Sequence, residues 1–252
     1  MLSKSKRLYL SKEFDIKNPL EIDEEVFIEE LSKKACTNER FLGSGVSRMV
    51  FDLGENLILK VNAIYGKYAT RCNGNGVDIE EYLEKTQSPR ISRYTISIDS
   101  WLGDLPINET VLKNKNIDDL TDFFFNELSE EYNDQTLSEV SNSKNWADNN
   151  CFAKIFGYSK NYSAVVMEKC ISYSTIYDYF CDGIDEIEPS EVLIVKAFYK
   201  EKGWNQKELS PFRTFINEQR KNIGLNYNLK DLHMGNFGIS MNGDFKIFDY
   251  AY

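Results

Sequence analysis

Residues 228–252 read NLKDLHMGNFGISMNGDFKIFDYAY, and their polar side chains recur at spacings that suit a metal site. Asp231 and Asn236 are five positions apart, and Asp249 follows thirteen positions later. The Asn-Gly dipeptide at 242–243 predicts a hairpin, because it readily adopts the positive φ angles of a two-residue turn. Across that hairpin an Asp carboxylate and an Asn carbonyl can meet as the hard oxygen ligands that Mg²⁺ prefers. Asp231 would then orient or deprotonate a hydroxyl group.

The same stretch has a simpler interpretation. DLHMGN is also a polar turn in which Asp231 and His233 cap backbone groups. His233 is the single histidine of the chain. We expect it to be a structural member of this loop that bonds to the backbone or to Asp249, and not a proton carrier.

The composition predicts a globular chain that binds neither nucleic acid nor membrane. Its 252 residues are 42% hydrophobic, enough for one large or two small domains. Forty acidic and 30 basic side chains give a net charge of -10, the wrong sign for releasing counterions from nucleic acid. No apolar run approaches the roughly 18 to 20 residues of a membrane helix, and residues 1–12 carry charges where a signal peptide has its apolar core. We therefore expect a cytoplasmic protein.

Two features near residue 50 suit an anionic ligand. Gly43-x-Gly45-x-x-Arg48-x-Val50 contains glycines that would let the backbone approach phosphate oxygens and direct N–H groups at them. Such a glycine pair also occurs in ordinary turns, and the third glycine of the full pattern is missing. Lys60 lies in the apolar run LILKV, so on a strand its ammonium would be held inward and would need an anion. A solvated strand lysine is the alternative.

The apolar patterns predict an α+β fold. Helical spacing covers residues 22–35 and 77–86, and a helix from residue 210 is expected to end at Gly224. Hairpins are expected between MVFDL and LILKVN, joined by residues 54–56, and between CFAKIFGYS and YSAVVMEKC. Residues 87–150 are the least regular part and are interpreted as an insertion, in which IDDLTDFFFNELSEEY is a possible helix. Their final part, LSEVSNSKNWADNN, suggests no packed element.

The order of these motifs resembles the protein-kinase-like superfamily. It runs from glycine loop to strand lysine, acidic helix, hairpin, D-x-x-x-x-N and a terminal D-aromatic-small. DLHMGN is similar to the D-L-H-x-G-N of the small-molecule kinase branch, exemplified by aminoglycoside phosphotransferases. The segment GSGVSRMVFDL and the ending also resemble short kinase-like proteins encoded by bacteriophages.

The resemblance implies a two-lobed fold. Residues 1–40 would be a helical extension, and residues 41–168 a β-sheet N-lobe carrying the insertion 87–150. Residues 169–252 would form a truncated, mostly helical C-lobe that stops after the metal-binding aspartate.

The resemblance also implies roles for individual residues. Gly43 and Gly45 would cover the phosphates, Val50 would pack on adenine, and Lys60 would bind the α- and β-phosphates. Asp231 would be the catalytic aspartate, with Asn236 and Asp249 as magnesium ligands, and Met167, Glu168 and Cys170 would form the gatekeeper and hinge. The acidic partner of Lys60 is expected on the following helix, where Asp78, Glu80 and Glu81 all qualify.

The last part of the sequence also departs from the family pattern. Leu229 and Lys230 replace the histidine-arginine pair before the catalytic aspartate. The sequence given ends at Ala251 and Tyr252, without an activation segment, and Ala251 replaces the glycine after the metal-binding aspartate.

Two classes of function follow from the resemblance. The first is an ATP- and Mg²⁺-dependent phosphotransferase that acts on a hydroxyl acceptor, in the host cytoplasm if the protein is phage-encoded. The second is a pseudokinase-like binding module for a host or phage protein. Transfer of AMP to a protein is a third interpretation.

Overall fold

The computed structural model describes residues 1–44, 48–62, 130–146, 149–160, 162–181, 188–227, 229 and 232–250, which form an α+β protein. Its helices are α1 (Lys4–Glu13), α2 (Glu24–Ala35), α3 (Glu130–Asn145), α4 (Tyr173–Cys181), α5 (Pro189–Glu201) and α6 (Ser210–Tyr227). Its strands are β1 (Phe41–Ser44), β2 (Arg48–Gly54), β3 (Leu57–Asn62), β4 (Ile155–Tyr158), β5 (Ala164–Glu168), β6 (Cys170–Ser172), β7 (Phe237–Ser240) and β8 (Phe245–Ile247). None of the described helices combines the length and apolar character needed to cross a bilayer.

The first sheet has the strand order β1-β2-β3-β5-β4, with every neighbouring pair antiparallel. Both predicted hairpins, β2–β3 and β4–β5, are confirmed. The β2–β3 turn places Gly54, Glu55 and Asn56 at positive φ angles of 75°, 49° and 59°. Glycine and asparagine tolerate this left-handed backbone well, so two of the three turn residues suit their conformation.

The alternation of side chains along β3 separates its two faces. Leu57, Leu59 and Val61 enter the hydrophobic cluster that the sheet shares with α1 and α2. Ile58 enters a second cluster on the opposite face. Because successive side chains point to opposite faces, Lys60 lies on the same face as Ile58. Lys60 is 5% exposed, so the strand buries its ammonium, which agrees with the first of the two interpretations of the sequence.

Residues 1–40 contain two helices that pack on the first sheet. The helix predicted within residues 22–35 is confirmed as α2, which begins after Asp23. Leu10 of α1 and Phe27, Ile28 and Leu31 of α2 are fully buried in the first cluster. The two helices therefore cover the face of the sheet that points away from Lys60.

The second sheet has the order β6-β7-β8 and packs with α5 and α6 in the second cluster. Its β7–β8 hairpin is confirmed, and Gly243 at its turn has a φ of 88°. The expectation that α6 ends at Gly224 is wrong, since the helix continues to Tyr227. Ile223 is buried and Tyr227 packs against the same cluster, so tertiary contacts continue the helix through the glycine.

A packed helix occupies part of the segment for which none was expected. α3 runs to Asn145, and among its side chains whose burial the structure describes, from residue 135 onward, the buried ones are Thr136, Glu139 and Val140. Two of these three side chains are polar, so the apolar periodicity that marks a buried helix is missing from the sequence. A buried glutamate needs a cationic partner, and the structure supplies two.

Candidate functional site

A cavity of about 880 Å³ lies where the Lys60 face of the first sheet meets residues 233–249. It is lined by side chains of β2 and β3, by the segment from Glu168 to Thr175, and by the turn that precedes β7. Phe248 and Asp249, which directly follow β8, also line the cavity. Residues far apart in the sequence therefore share one space.

Most of the described residues predicted for the site line this cavity. They are Gly43, Val50, Lys60, Glu168, Cys170, Asn236 and Asp249. Met167 lies next to them in β5, where it is fully buried in the second cluster. The predicted residues Gly45, Asp78, Glu80, Glu81 and Asp231 lie outside the described part of the chain.

Two acceptors among the described residues hold Lys60. Its Nζ donates to Glu139 Oε1 at 3.1 Å and to the carbonyl oxygen of Phe248. An ammonium group carries three donors, so these bonds use two of them. The ammonium is thus fixed at the cavity wall, with capacity to bind an anion there.

Glu139 is the acidic partner that sequence reasoning missed. It is fully buried on α3 and also accepts from both terminal nitrogens of Arg48, one of them at 3.1 Å. Burial alone would raise the pKa of Glu139, but the charges of Arg48 and Lys60 outweigh it and hold that pKa at about 2. The one signal in the sequence is that residues 130–145 contain no glycine or proline, which permits a helix without identifying the acid.

Arg48 connects this pair to Asp249. Its Nη2 donates to Asp249 Oδ1 at 2.7 Å, and the residue is 5% exposed. Two cations, Arg48 and Lys60, therefore face two anions, Glu139 and Asp249. Buried charges are tolerated when they are paired and hydrogen-bonded in this way. Sequence reasoning placed Arg48 in the glycine motif but gave it no role.

Three consecutive carbonyl groups are bound by side chains from different elements. Phe248 accepts from Lys60 of β3, and Asp249 accepts from the Asn236 side-chain nitrogen at 3.1 Å. Tyr250 accepts from the Asn142 side chain of α3 at 2.8 Å. These bonds fix the backbone of residues 248–250 and with it the position of the Asp249 carboxylate.

His233 lines the cavity and bonds to the backbone of its own turn. Its Nδ1 accepts from the Gly235 backbone N–H at 3.1 Å. The expected bond between His233 and the backbone of this loop is present. The bond holds residues 234–236 in a short 3₁₀ turn, at the end of which Asn236 is buried.

The cavity wall combines the cationic side chains of Arg48 and Lys60 with oxygen donors and apolar groups. Asn236 and Asp249 offer an amide and a carboxylate, while Val50 and Ile58 offer apolar walls. Within the described ranges no group of three or more His, Cys, Asp or Glu side chains is arranged to hold a metal. A Mg²⁺ ion at Asn236 and Asp249 would therefore take its other ligands from water and phosphate, as Mg²⁺ commonly does.

Comparisons with known proteins give little further information. No family model matches the sequence, and no curated protein matches it. One similar solved structure is the complex of Rv3197 with erythromycin from Mycobacterium tuberculosis, at 13% identity and a TM-score of 0.32. The match covers 99% of this chain and 51% of that chain, so the present sequence spans about half the length of Rv3197. A likeness at this TM-score carries no argument about function.

Proposed function

We propose that this chain is an ATP- and Mg²⁺-dependent phosphotransferase of the protein-kinase-like superfamily, acting on a hydroxyl acceptor. The observation that carries the proposal is that Lys60 and Asp249 line one cavity, as a phosphate ligand and a metal ligand must. Neither residue is near the other in the sequence. The proposed compartment is the cytoplasm, that of the host if the protein is phage-encoded, where ATP and Mg²⁺ are abundant.

The Lys60–Glu139 ion pair supports the kinase-like assignment. In protein kinases a strand lysine pairs with a helix glutamate, and this pair must be in place for phosphoryl transfer. Here β3 supplies the lysine and α3, which lies between β3 and β4 in the chain, supplies the glutamate. We propose that the five-stranded sheet is the N-lobe and that the elements after Lys169 form the C-lobe.

The proposed chemistry depends on positioning and charge neutralisation. Lys60 would bind the phosphates, and Gly43 would let the backbone of β1 approach them. Asn236 and Asp249 would hold the magnesium ion, which would neutralise negative charge on the phosphates. Asp231 would orient the acceptor hydroxyl and take its proton. Fixed charges of this kind supply most of the rate enhancement in phosphoryl transfer.

Transfer of a labelled γ-phosphate from ATP to a panel of hydroxyl acceptors tests the proposal. We expect Mg²⁺-dependent transfer by the wild type and its loss in Lys60→Gln and Asp231→Asn. Lys33→Gln is the matched control, because Lys33 forms an ordinary ion pair with Glu30 on the surface of α2. Transfer that persists in Asp231→Asn would contradict the proposal. Label reaching the acceptor from the α-phosphate would indicate AMP transfer instead.

ATP binding gives a second readout. At a hundredfold excess over Kd, a ligand adds about 2.7 kcal/mol to the free energy of unfolding. For a chain of this size each kcal/mol corresponds to a Tm increase of about 2–4 °C. We expect ATP with Mg²⁺ to raise the Tm of the wild type and to raise that of Asp249→Ala much less.

One observation favours a pseudokinase-like binding module as the second candidate. Arg48 occupies an oxygen of Asp249 that a metal ion would need. A host or phage protein bound equally well by wild type, Lys60→Ala and Asp249→Ala, together with absent phosphoryl transfer, would support this candidate.

A further inference from the structure

Arg48 forms an ion pair with Asp249, the carboxylate that would bind the metal ion in the proposed function. The Asp249 side chain is 36% exposed and lines the cavity, yet Arg48 Nη2 lies 2.7 Å from its Oδ1. Arg48 is itself buried and is also bound by Glu139. The guanidinium is therefore a built-in counter-ion for Asp249.

An arginine cannot release this carboxylate by losing its proton, because its guanidinium stays charged at any ordinary pH. A divalent cation at Asp249 would face that positive charge at close range, so the two cations compete for one carboxylate. A bound triphosphate would shift this competition in favour of the divalent cation. Arg48 lines the same cavity, and guanidinium groups bind phosphate oxygens with strong, charge-assisted hydrogen bonds.

We propose that Arg48 is a counter-ion switch that makes divalent-cation binding at Asp249 dependent on a bound triphosphate. The inference rests on the proposed nucleotide-binding function. Without nucleotide, Arg48 neutralises Asp249 and keeps the site closed to the cation. With nucleotide, the phosphates attract Arg48 and Asp249 becomes available to the cation. Glu139 keeps Arg48 nearby in both states, because its bonds to the guanidinium need not break.

Binding of Mn²⁺ alone, followed by electron paramagnetic resonance, tests the counter-ion half of the proposal. We expect weak binding to the wild type and about tenfold tighter binding to Arg48→Gln, since a neighbouring charge shifts ionic equilibria by one or more powers of ten. Arg48→Lys keeps the positive charge and should bind as weakly as the wild type. Arg213→Gln is the control, because Arg213 is an exposed arginine that donates to the Tyr173 hydroxyl.

The dependence on nucleotide is tested by Tm measured with Mn²⁺ alone, a non-hydrolysable ATP analogue with EDTA, and both ligands together. For the wild type we expect Mn²⁺ to raise Tm only when the analogue is present. For Arg48→Gln we expect Mn²⁺ to raise Tm on its own, and adding Asp249→Asn should abolish that increase.

Three outcomes would overturn the switch. The first is wild-type binding of Mn²⁺ alone as tight as that of Arg48→Gln. The second is weaker binding in Arg48→Gln, which would make Arg48 a residue that only positions Asp249. The third can be tested even if Arg48→Gln fails to fold. It is wild-type binding of Mn²⁺ without nucleotide that is as tight as binding with the ATP analogue and that Asp249→Asn removes.

Failure of the proposed function has a different signature. A chain that does not bind ATP would show no phosphoryl transfer and no Tm increase with the analogue. Arg48→Gln would still expose Asp249 to Mn²⁺ in the absence of nucleotide. The two results can therefore be told apart.

Discussion

Lys60 and Glu139 lie 79 positions apart and form a buried ion pair, with 3.1 Å between Nζ and Oε1. Lys60 is 5% exposed and Glu139 is fully buried, so each charge depends on the other. The pair also ties α3 to the first sheet. The pair therefore contributes both to the stability of the protein and to the geometry of the cavity.

Replacing Glu139 by Gln should strongly destabilise the protein. The change leaves Arg48 and Lys60 buried without their shared anion, and breaking a buried pair of this kind costs about 3–5 kcal/mol. Urea unfolding of the two proteins measures the difference. Glu30→Gln is the control, because its exposed pair with Lys33 should contribute no more than about 1 kcal/mol. Equal losses in the two variants would show that the buried network does not hold α3.

Acid should destabilise the protein through Glu139. Its pKa is lowered in the fold from the ordinary value of 4.5 to about 2, so the unfolded chain binds the proton more tightly. The stabilisation is complete above pH 4.5 and is lost as the pH falls from 4.5 towards 2. The free energy of unfolding, measured by urea between pH 6 and pH 3, should fall more steeply for the wild type than for Glu139→Gln. Parallel slopes would refute this assignment.

Gly43→Ala should weaken ligand binding with little effect on stability, whereas Gly238→Ala should lower stability. A Cβ added to Gly43 meets no atom within 4 Å, whereas one added to Gly238 would collide with the Ile171 carbonyl oxygen. Gly43→Ala should change stability by no more than about 0.5 kcal/mol but weaken ATP binding, because the methyl group limits the approach of phosphate. Gly238→Ala should unfold at a clearly lower urea concentration. Unchanged ATP affinity in Gly43→Ala would remove β1 from the nucleotide site.

Two cysteines should differ in their reaction with thiol reagents. Burial raises the pKa of Cys170 to about 12, and the nearby charge of Glu168 adds to that increase, so the thiolate is scarce at neutral pH. Cys181 is exposed at the end of α4. At pH 8 we expect iodoacetamide to label Cys181 rapidly and Cys170 slowly, as mapped by mass spectrometry. Rapid labelling of Cys170 in a Cys181→Ser variant would show that the cavity opens in solution.

The sequence predicted those parts of the site that local patterns encode. The apolar residues that flank Lys60 in LILKV suggested an inward ammonium as one of two interpretations, and the dipeptide at 242–243 marked the hairpin before Asp249. Glu139 was not predictable in this way, because the face that α3 buries is largely polar. A helix held by ion pairs has no hydrophobic stripe, and its partner charges lie at distances along the chain that no local pattern records.

Arg48 shows a second limit of sequence reasoning. The family pattern has a glycine at this position. From the sequence alone, the arginine was therefore only a departure from that pattern. Its role follows from contacts with α3 and with the segment after β8. Such contacts arise only when the whole fold brings the three segments together.

The bonds to the carbonyl groups of residues 248–250 have a consequence for motion. Asn142 and Glu139 lie three positions apart on α3. Asn142 donates to the Tyr250 carbonyl, and Glu139 accepts from Lys60. An outward movement of this helix would break both contacts at once and loosen the Asp249 backbone in the same event. Movement of α3 away from the first sheet should therefore be cooperative. The cavity would then be either fully assembled or fully disrupted.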